Sequence, residues 1–263
     1  LPRQYIATEL FERVELLRGA SSFLTGANPN GGGIGGAINL LPKRAPNYDL
    51  NRVTVGLDSG NQTNLSADVA RRFGENDEFG VRVNAAHRNG GTAIEDEEAE
   101  LNLFNIGLDW QGERLRLSAD LGFQDHQLDE TRPNVRLVGN QINKIPSAPN
   151  ASKNWAQDWS YSNEQNYFGT FRAEYDLREN VTAWAAYGMR RGDESNFLAN
   201  LNVNNPNTGA GSFSRFDNDR EDRVDTGEVG VRGNFETGAI GHDWVIAYSY
   251  FKSERKNAFG IGS

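Results

Sequence analysis

The sequence predicts an all-β chain: a partial antiparallel transmembrane β-barrel, about nine strands of a larger barrel, preceded by the C-terminal part of a small α+β domain. Three observations predict it. Apolar and polar residues alternate with period two almost without interruption from Asn51 onward, the pattern of strands with two unlike faces. The runs are ~10–13 residues long, about twice the usual globular strand of ~5–6. Tight turns and long loops alternate between them, which puts the long loops at one end of the sheet.

Before the alternation, Phe11 to Ala45 reads FERVELLRGASSFLTGANPNGGGIGGAINLLPKRA, a glycine-dense loop between two short apolar strands. The first long strand then sets Val53, Val55 and Leu57 against Arg52, Thr54 and Asp58. The second sets Leu65, Ala67, Val69 and Phe73 against Asn64, Ser66, Asp68 and Arg72. The third carries Phe79, Val81, Val83 and Ala85; the fourth Phe104, Ile106, Leu108 and Trp110; the fifth Leu115 to Phe123. Four more follow near 165–177, 180–191, 223–235 and 243–254. At ~3.3 Å per residue and a tilt near ~40°, such strands cross the ~25 Å apolar band of an outer-membrane barrel.

Gly74–Glu78, Gln111–Arg114 and Leu177–Asn180 read as tight turns, whereas 89–100, 125–164 and 192–222 read as long loops. If 44–50 enters from the periplasmic side, the long loops all lie outside the cell. Bacterial single-chain barrels use even strand numbers, and an open edge in lipid leaves backbone groups unpaired. Further strands are therefore expected downstream. The opening LPRQYIATELFERV lacks a basic, then apolar, leader, and with the end at AFGIGS the sequence reads as an internal fragment.

Composition limits the alternatives. With 37% apolar residues and a mean hydropathy of −0.66, no run approaches the ~18 apolar residues of a membrane helix. Alternating strands never produce such a run. The absence of cysteine excludes disulfides, thiolate metal sites and cysteine nucleophiles. A net charge of −9 argues against a nucleic-acid partner.

The Phe11–Ala45 segment resembles the C-terminal end of the plug domain of TonB-dependent receptors, whose run is approximately ERVEVLRGPxSLLYG…GGxINLVTKRP. Glu12, Arg13, Val14, Glu15, Leu17, Arg18 and Gly19 match it, as do Ser22, Leu24, Gly26, Gly35, Gly36, Ile38, Asn39, Leu40, Lys43 and Arg44. The first barrel strands look like the family's too. GGAINLLPKRA, LSADLGFQ and RPNVRL look closest to ferric-siderophore receptors, with ferrichrome-like hydroxamates as the suggested subgroup. The resemblance implies a plug over 1–46 and the N-terminal part of an outer-membrane barrel over 47–263. It implies an energy-coupled importer of a Gram-negative outer membrane. Its partners would be a ferric siderophore, outer-membrane lipid, and TonB through an upstream segment. Ala20 departs from the family's proline, relaxing φ at that turn. Thr25 replaces the frequent tyrosine at the plug apex, so aromatic stacking from that position is unavailable.

Candidate ligand contacts are Thr25 and Asn30 on the plug and Arg132, Asn134, Trp155, Trp159 and Tyr161 in the longest loop. Against them stand plainer readings: a loop ion pair with Asp129 or Glu130 for Arg132, and an interfacial aromatic girdle for Tyr161 and Tyr167. Arg52, Arg72, Arg82, Arg88, Arg116, Asp120, Arg172 and Glu174 fall on the inward face, where they can pair with a plug. Arg13, Glu15 and Arg18 are the plug-side candidates for that lock. Asn28–Gly36 enters a strand and lacks the lysine of a phosphate loop. Glu95–Glu100, EDEEAE, has no EF-hand spacing, and His87, His126 and His242 are scattered. No catalytic constellation, resident cofactor or metal site is expected, and the chain reads as a transporter and not an enzyme. The alternatives are a family member importing haem, cobalamin or a glycan, a porin-like or structural barrel, and a surface β-sandwich adhesin with short strands.

Overall fold

The computed structural model describes residues 5–19, 35–139, 145 and 147–262. A 3-10 turn, Thr8–Leu10, leads into a small antiparallel sheet of β1 (Phe11–Arg18) and β2 (Gly36–Pro42). Gly36 takes φ +119° opposite Arg18, and a Cβ there would overlap the Leu17 carbonyl. Only glycine fits that entry to β2.

The large sheet begins at Leu50. Its strands are β3 (Leu50–Leu57), β4 (Thr63–Phe73), β5 (Phe79–Gly91), β6 (Glu98–Gln111) and β7 (Leu115–Asp129), then β8 (Val135–Leu137), β9 (Tyr161–Arg178), β10 (Val181–Val203), β11 (Gly211–Thr237) and β12 (Ile240–Gly262). Apart from β8 they pair antiparallel with their neighbours in chain order, β9 lying directly against β7. This up-and-down order is that of a barrel wall. The expected nine long strands are all present.

Alternation assigns the faces. Val53, Val55 and Leu57 on β3, and Ile246 and Tyr248 on β12, stand on the outer face and are exposed. Asp68, Arg82, Asn84, Asp109 and Asp120 point inward and are buried. Such an inverted surface, apolar outside and charged inside, suits lipid on one side and a filled lumen on the other. One register row runs Phe104–Phe123–Tyr167 across β6, β7 and β9, then Arg191–Arg223–Glu254 across β10, β11 and β12. The apolar band thus ends lower on each later strand, which is what tilted strands produce when the band stays level.

The upper ends differ from the sequence reading. The segment 192–222, expected as a loop of about thirty residues, is mostly strand: β10 and β11 stay paired from Gly192–Asp222 up to Val203–Gly211. The connecting turn is 204–210, closed by Asn204 N–H donating to Ala210 O at 3.0 Å. Apolar alternation is lost on β11, where Ser214, Arg215, Asp217, Asn218, Asp219 and Arg220 put polar groups on both faces, while the backbone ladder needs no side-chain pattern. The 89–100 loop likewise shrinks to 92–97, and β7 and β9 consume both ends of the 125–164 loop. Within the remainder, β8 adds in parallel to β10 at Leu201–Val203, just beyond where β9 leaves β10's edge at Phe197.

Candidate functional site

Two inward-facing polar zones define the site, a lower seam and an upper vestibule. The seam forms where the chain passes from β2 to β3. Lys43 Nζ donates to Asp68 Oδ2 at 3.0 Å and Asn84 Oδ1 at 3.1 Å. Arg44 forks onto Asp120 at 2.6 and 2.7 Å, and Thr170 Oγ1 donates to the same carboxylate at 2.8 Å. Gly107 on β6 leaves room for this fork; a Cβ there would lie 3.1 Å from Arg44 Nη1. Arg82 forks onto Asp68 through Nε and Nη2, each at 2.8 Å, and its Nη1 also reaches Arg44 O at 2.7 Å and Glu12 Oε2 at 3.2 Å. Arg72 joins Ala45 O at 2.9 Å to Asp109 Oδ1 at 2.8 Å. Bidentate, charge-assisted bonds of this kind fix geometry as well as energy.

The strand-less stretch 5–7 is held by the wall. The Gln124 side chain accepts from Ala7 N–H at 3.0 Å and donates to Tyr5 O at 2.7 Å, as a neighbouring strand would. Tyr5 N–H donates to Glu164 at 3.1 Å, and its ring stacks on His126 at 4.0 Å. Arg88 donates to Tyr5 Oη at 2.7 Å and pairs with Glu9. Behind these contacts Ala7 and Leu10 bury against Ala86, Leu101 and Leu103, with Phe11 and Phe168 alongside.

The structure moves the seam away from the predicted lock residues. Arg13 and Glu15 pair with one another at 2.7 Å, Glu15 also accepts from Asn39 at 2.9 Å, and Arg18 is exposed. Among the described residues the wall contacts run instead through Tyr5, Glu9, Glu12, Lys43 and Arg44. Val14, Leu16 and Ile38 farther along the β1–β2 hairpin are exposed. Lys43 and Arg44 were visible in the family-like motif, but nothing in their spacing marked them as the anchors. Of the inward set, Arg72, Arg82, Arg88 and Asp120 join the seam. Arg116 pairs instead with Glu174 and Asp176 within the wall, and Arg172 with Glu174.

Above the band, two loops are sewn together. Glu95 N–H donates to Ser152 O at 2.8 Å, and Lys153 Nζ pairs with Glu95 at 2.8 Å. That hydrogen bond and charge raise the Lys153 pKa. Glu97 accepts from Thr92 Oγ1 at 2.9 Å and Arg132 N–H at 3.2 Å. The acidic run EDEEAE is therefore a clasp, and no metal-holding cluster of His, Asp and Glu occurs among the described residues. Arg132 donates to Ala151 O at 2.8 Å and Lys153 O at 3.2 Å and lies over the Trp155 ring at 4.9 Å. Trp155 Nε1 donates to Pro133 O at 3.2 Å. Both side chains are occupied as scaffold.

Trp159 and Tyr161 pack on Phe197 at 4.6 and 6.1 Å. Tyr161 and Phe197 occupy outward positions, so this aromatic group stands on the outside of the wall, and Tyr161 lies above the band edge at Tyr167. Asn134 sits beside the upper vestibule. Thr25 and Asn30 lie outside the described residues.

Geometry defines the class first: a stretch of transmembrane β-barrel wall joined through a dense ionic seam to a segment packed inside it. No protein-family model matches the chain. The chain is 38% identical over 261 residues to the ferrichrome receptor FcuA of Yersinia enterocolitica, a match covering 99% of this chain and 34% of that receptor. It is 23% identical over 257 residues to PiuA of Acinetobacter baumannii, described as a probable TonB-dependent siderophore receptor, over 92% of this chain and 33% of PiuA. Among solved structures it superposes with TM-score 0.90 and 32% identity on BauA, the ferric preacinetobactin receptor of Acinetobacter baumannii, over 97% of this chain and 37% of that one. The chain is thus a homologue of the TonB-dependent siderophore receptors, and it spans about a third of the length of these relatives.

Proposed function

We propose that the whole protein is an outer-membrane, TonB-dependent receptor that imports a ferric siderophore. In this reading 1–46 form the C-terminal part of the plug and 47–263 the N-terminal part of the barrel. The observation that carries it is the ionic seam: a passive porin has no use for Lys43, Arg44, Arg72 and Arg82 tying an inner segment to its wall. The similarity to FcuA and BauA supports the cargo class. Binding outside biases the plug toward a partner-competent state, and TonB, acting on an upstream segment, then remodels it. The chain performs positioning and release with no covalent step.

The test is iron-limited growth of a strain lacking its own siderophore receptors and carrying the full-length protein. Growth on at least one ferric siderophore, lost when TonB is deleted, is expected. Growth that persists without TonB would return the protein to the non-energised barrels. Failure with every siderophore in a broad panel would defeat the iron assignment.

A further inference from the structure

Near the upper vestibule, whose inward lining includes Asn134, Asn200 and Asn218, the wall is also concave on its outer face. A groove of about 680 Å3 crosses β7, β9, β10, β11 and β12 there. Two register rungs line it, Asp125–Gln165–Asp193 and, above, Gln127–Asn163–Ser195. These short or slender polar side chains lie between two rungs of large ones. Below runs Phe123–Tyr167–Arg191 at the band edge; above stands Tyr161–Phe197, with Trp159 packed on Phe197 at 4.6 Å. Side-chain size on one face of a continuous sheet makes the groove.

Its polar groups are only partly used. Asp125 accepts from Gln127 at 3.0 Å, and Asp219 accepts from Ser195 Oγ at 2.8 Å. Asn163 Oδ1 is buried without a donor, and among the described residues no hydrogen bond or ion pair reaches the side chain of Gln165 or Asp193. Polar groups left in this state are costly unless something else satisfies them. Asp193 also stands directly opposite Glu221 across β10 and β11, a like-charge pairing that an outside donor would relieve. Both cations in the lining are taken: Lys256 by Glu221 at 3.1 Å, and Arg220 by Glu194 and Asp222. Carboxylates at Asp125, Asp193 and Asp219 without a spare cation disfavour a phosphate and call for hydroxyl donors.

Height identifies what meets this face. At ~3.3 Å per residue and a tilt near ~40°, Gln165 and Asn163 stand ~5–10 Å above Tyr167. That is just beyond the acyl chains, at the level of the sugars of the outer-leaflet glycolipid. A sugar ring has an apolar C–H face that packs on aromatic rings and a rim of hydroxyls that donate to carboxylate and amide oxygens. We propose that the groove binds the saccharide of the outer-leaflet glycolipid, with Asn163, Gln165 and Asp193 accepting from its hydroxyls and the Tyr161–Phe197 rung supplying the stacking surface. The site is on the opposite face of the wall from the lumen and does not depend on which compound is imported.

The test measures binding to the full-length protein in detergent by native mass spectrometry with three probes. They are a rough-type lipopolysaccharide with its core sugars, the same glycolipid cut back to its phosphorylated diglucosamine, and the free core oligosaccharide. Wild type should bind the sugar-bearing glycolipid about tenfold more tightly than the trimmed one. Asp193→Ala and Gln165→Ala should each remove most of that preference, with affinity for the trimmed glycolipid and the thermal midpoint unchanged. Asp193→Asn, which keeps an acceptor, should lose less and serves if Asp193→Ala folds poorly. Equal affinity of wild type for the two glycolipids, or a preference retained in folded Asp193→Ala and Gln165→Ala, overturns the proposal. Free oligosaccharide that binds as tightly as the glycolipid overturns the membrane source. An oligolysine peptide that binds wild type but not Asp193→Ala, where the sugars make no difference, overturns the saccharide in favour of a cationic partner.

Discussion

The lower wall and its upward extension follow one strand order but dispose of polar groups in opposite ways. Around Asp68, Asp109 and Asp120 the inward carboxylates meet guanidinium or ammonium groups, and all four cations cross between the wall and the segment leading into β3: Lys43 and Arg44 from the segment, Arg72 and Arg82 from the wall. Around Asn200 and Asn218, Arg220 and Arg255 close on Glu194 and Asp222 of their own wall, while Arg136 and the amides stay open. The outer face divides too: Val55 and Leu57 below are bare apolar groups, while Gln165 and Asp193 are register partners above. The lower zone is built to hold a piece of the protein; the upper zone is built to leave something unheld.

The sharpest way to break this contrast is to remove one shared carboxylate. Asp68 serves both Arg82 and Lys43, and deleting one partner of a buried ion pair costs ~3–5 kcal/mol because the remaining charge is stranded. Asp68→Leu should lower the thermal midpoint of the full-length protein in detergent and increase protease cleavage within the segment packed inside the wall. Asn200→Leu, which loses no hydrogen bond to protein, should stay within ~0.5 kcal/mol of wild type. Equal losses from both would erase the distinction between the zones.

The lower wall was legible in the sequence because its two faces see different solvents, and lipid against lumen writes period-two alternation into β3 to β7. Where both faces of upper β11 are polar, SRFDNDRED carries no such alternation, and the pairing of β10 with β11 continues unseen. β8 was missed for a related reason: three residues recruited by a vacated edge leave no periodic trace. The inward charges were legible by parity, yet their partners were not. Arg13, Glu15 and Arg18 were closer to the family-like motif's start, whereas the wall's ions meet Glu12, Lys43 and Arg44. Arg132 and Trp155 looked like ligand contacts from their residue types, and only their distances to each other and to loop carbonyls reveal a scaffold.

The outer face gives a second test of the division. An arginine facing lipid near the midplane of a barrel costs ~2–4 kcal/mol, falling to ~0–1 kcal/mol near the interface. Val55→Arg should lose that amount in the free energy of refolding the full-length receptor into lipid vesicles. Gln165→Arg, beyond the band edge marked by Tyr167, should lose almost nothing. A large penalty at Gln165 would move the membrane boundary upward and make the outward face of the extension lipidic.

The smallest effect belongs to the clasp between 92–97 and the loop before β9, where Lys153 and Glu95 meet in full exposure. Glu95 raises the Lys153 pKa, so the pair's contribution is complete below the ordinary lysine value of ~10.4 and disappears as pH rises through the raised one. Spin labels placed on the two loops should report a narrow distance distribution at pH 8 that broadens above about pH 10.5. Lys153→Met should give the broader distribution at both values. An unchanged distribution in the variant would assign the clasp to the Glu95–Ser152 backbone bond of 2.8 Å. In that case screened surface charge would contribute as little here as it does in most exposed pairs, and the upper loops would owe their order to backbone pairing, as β10 and β11 do.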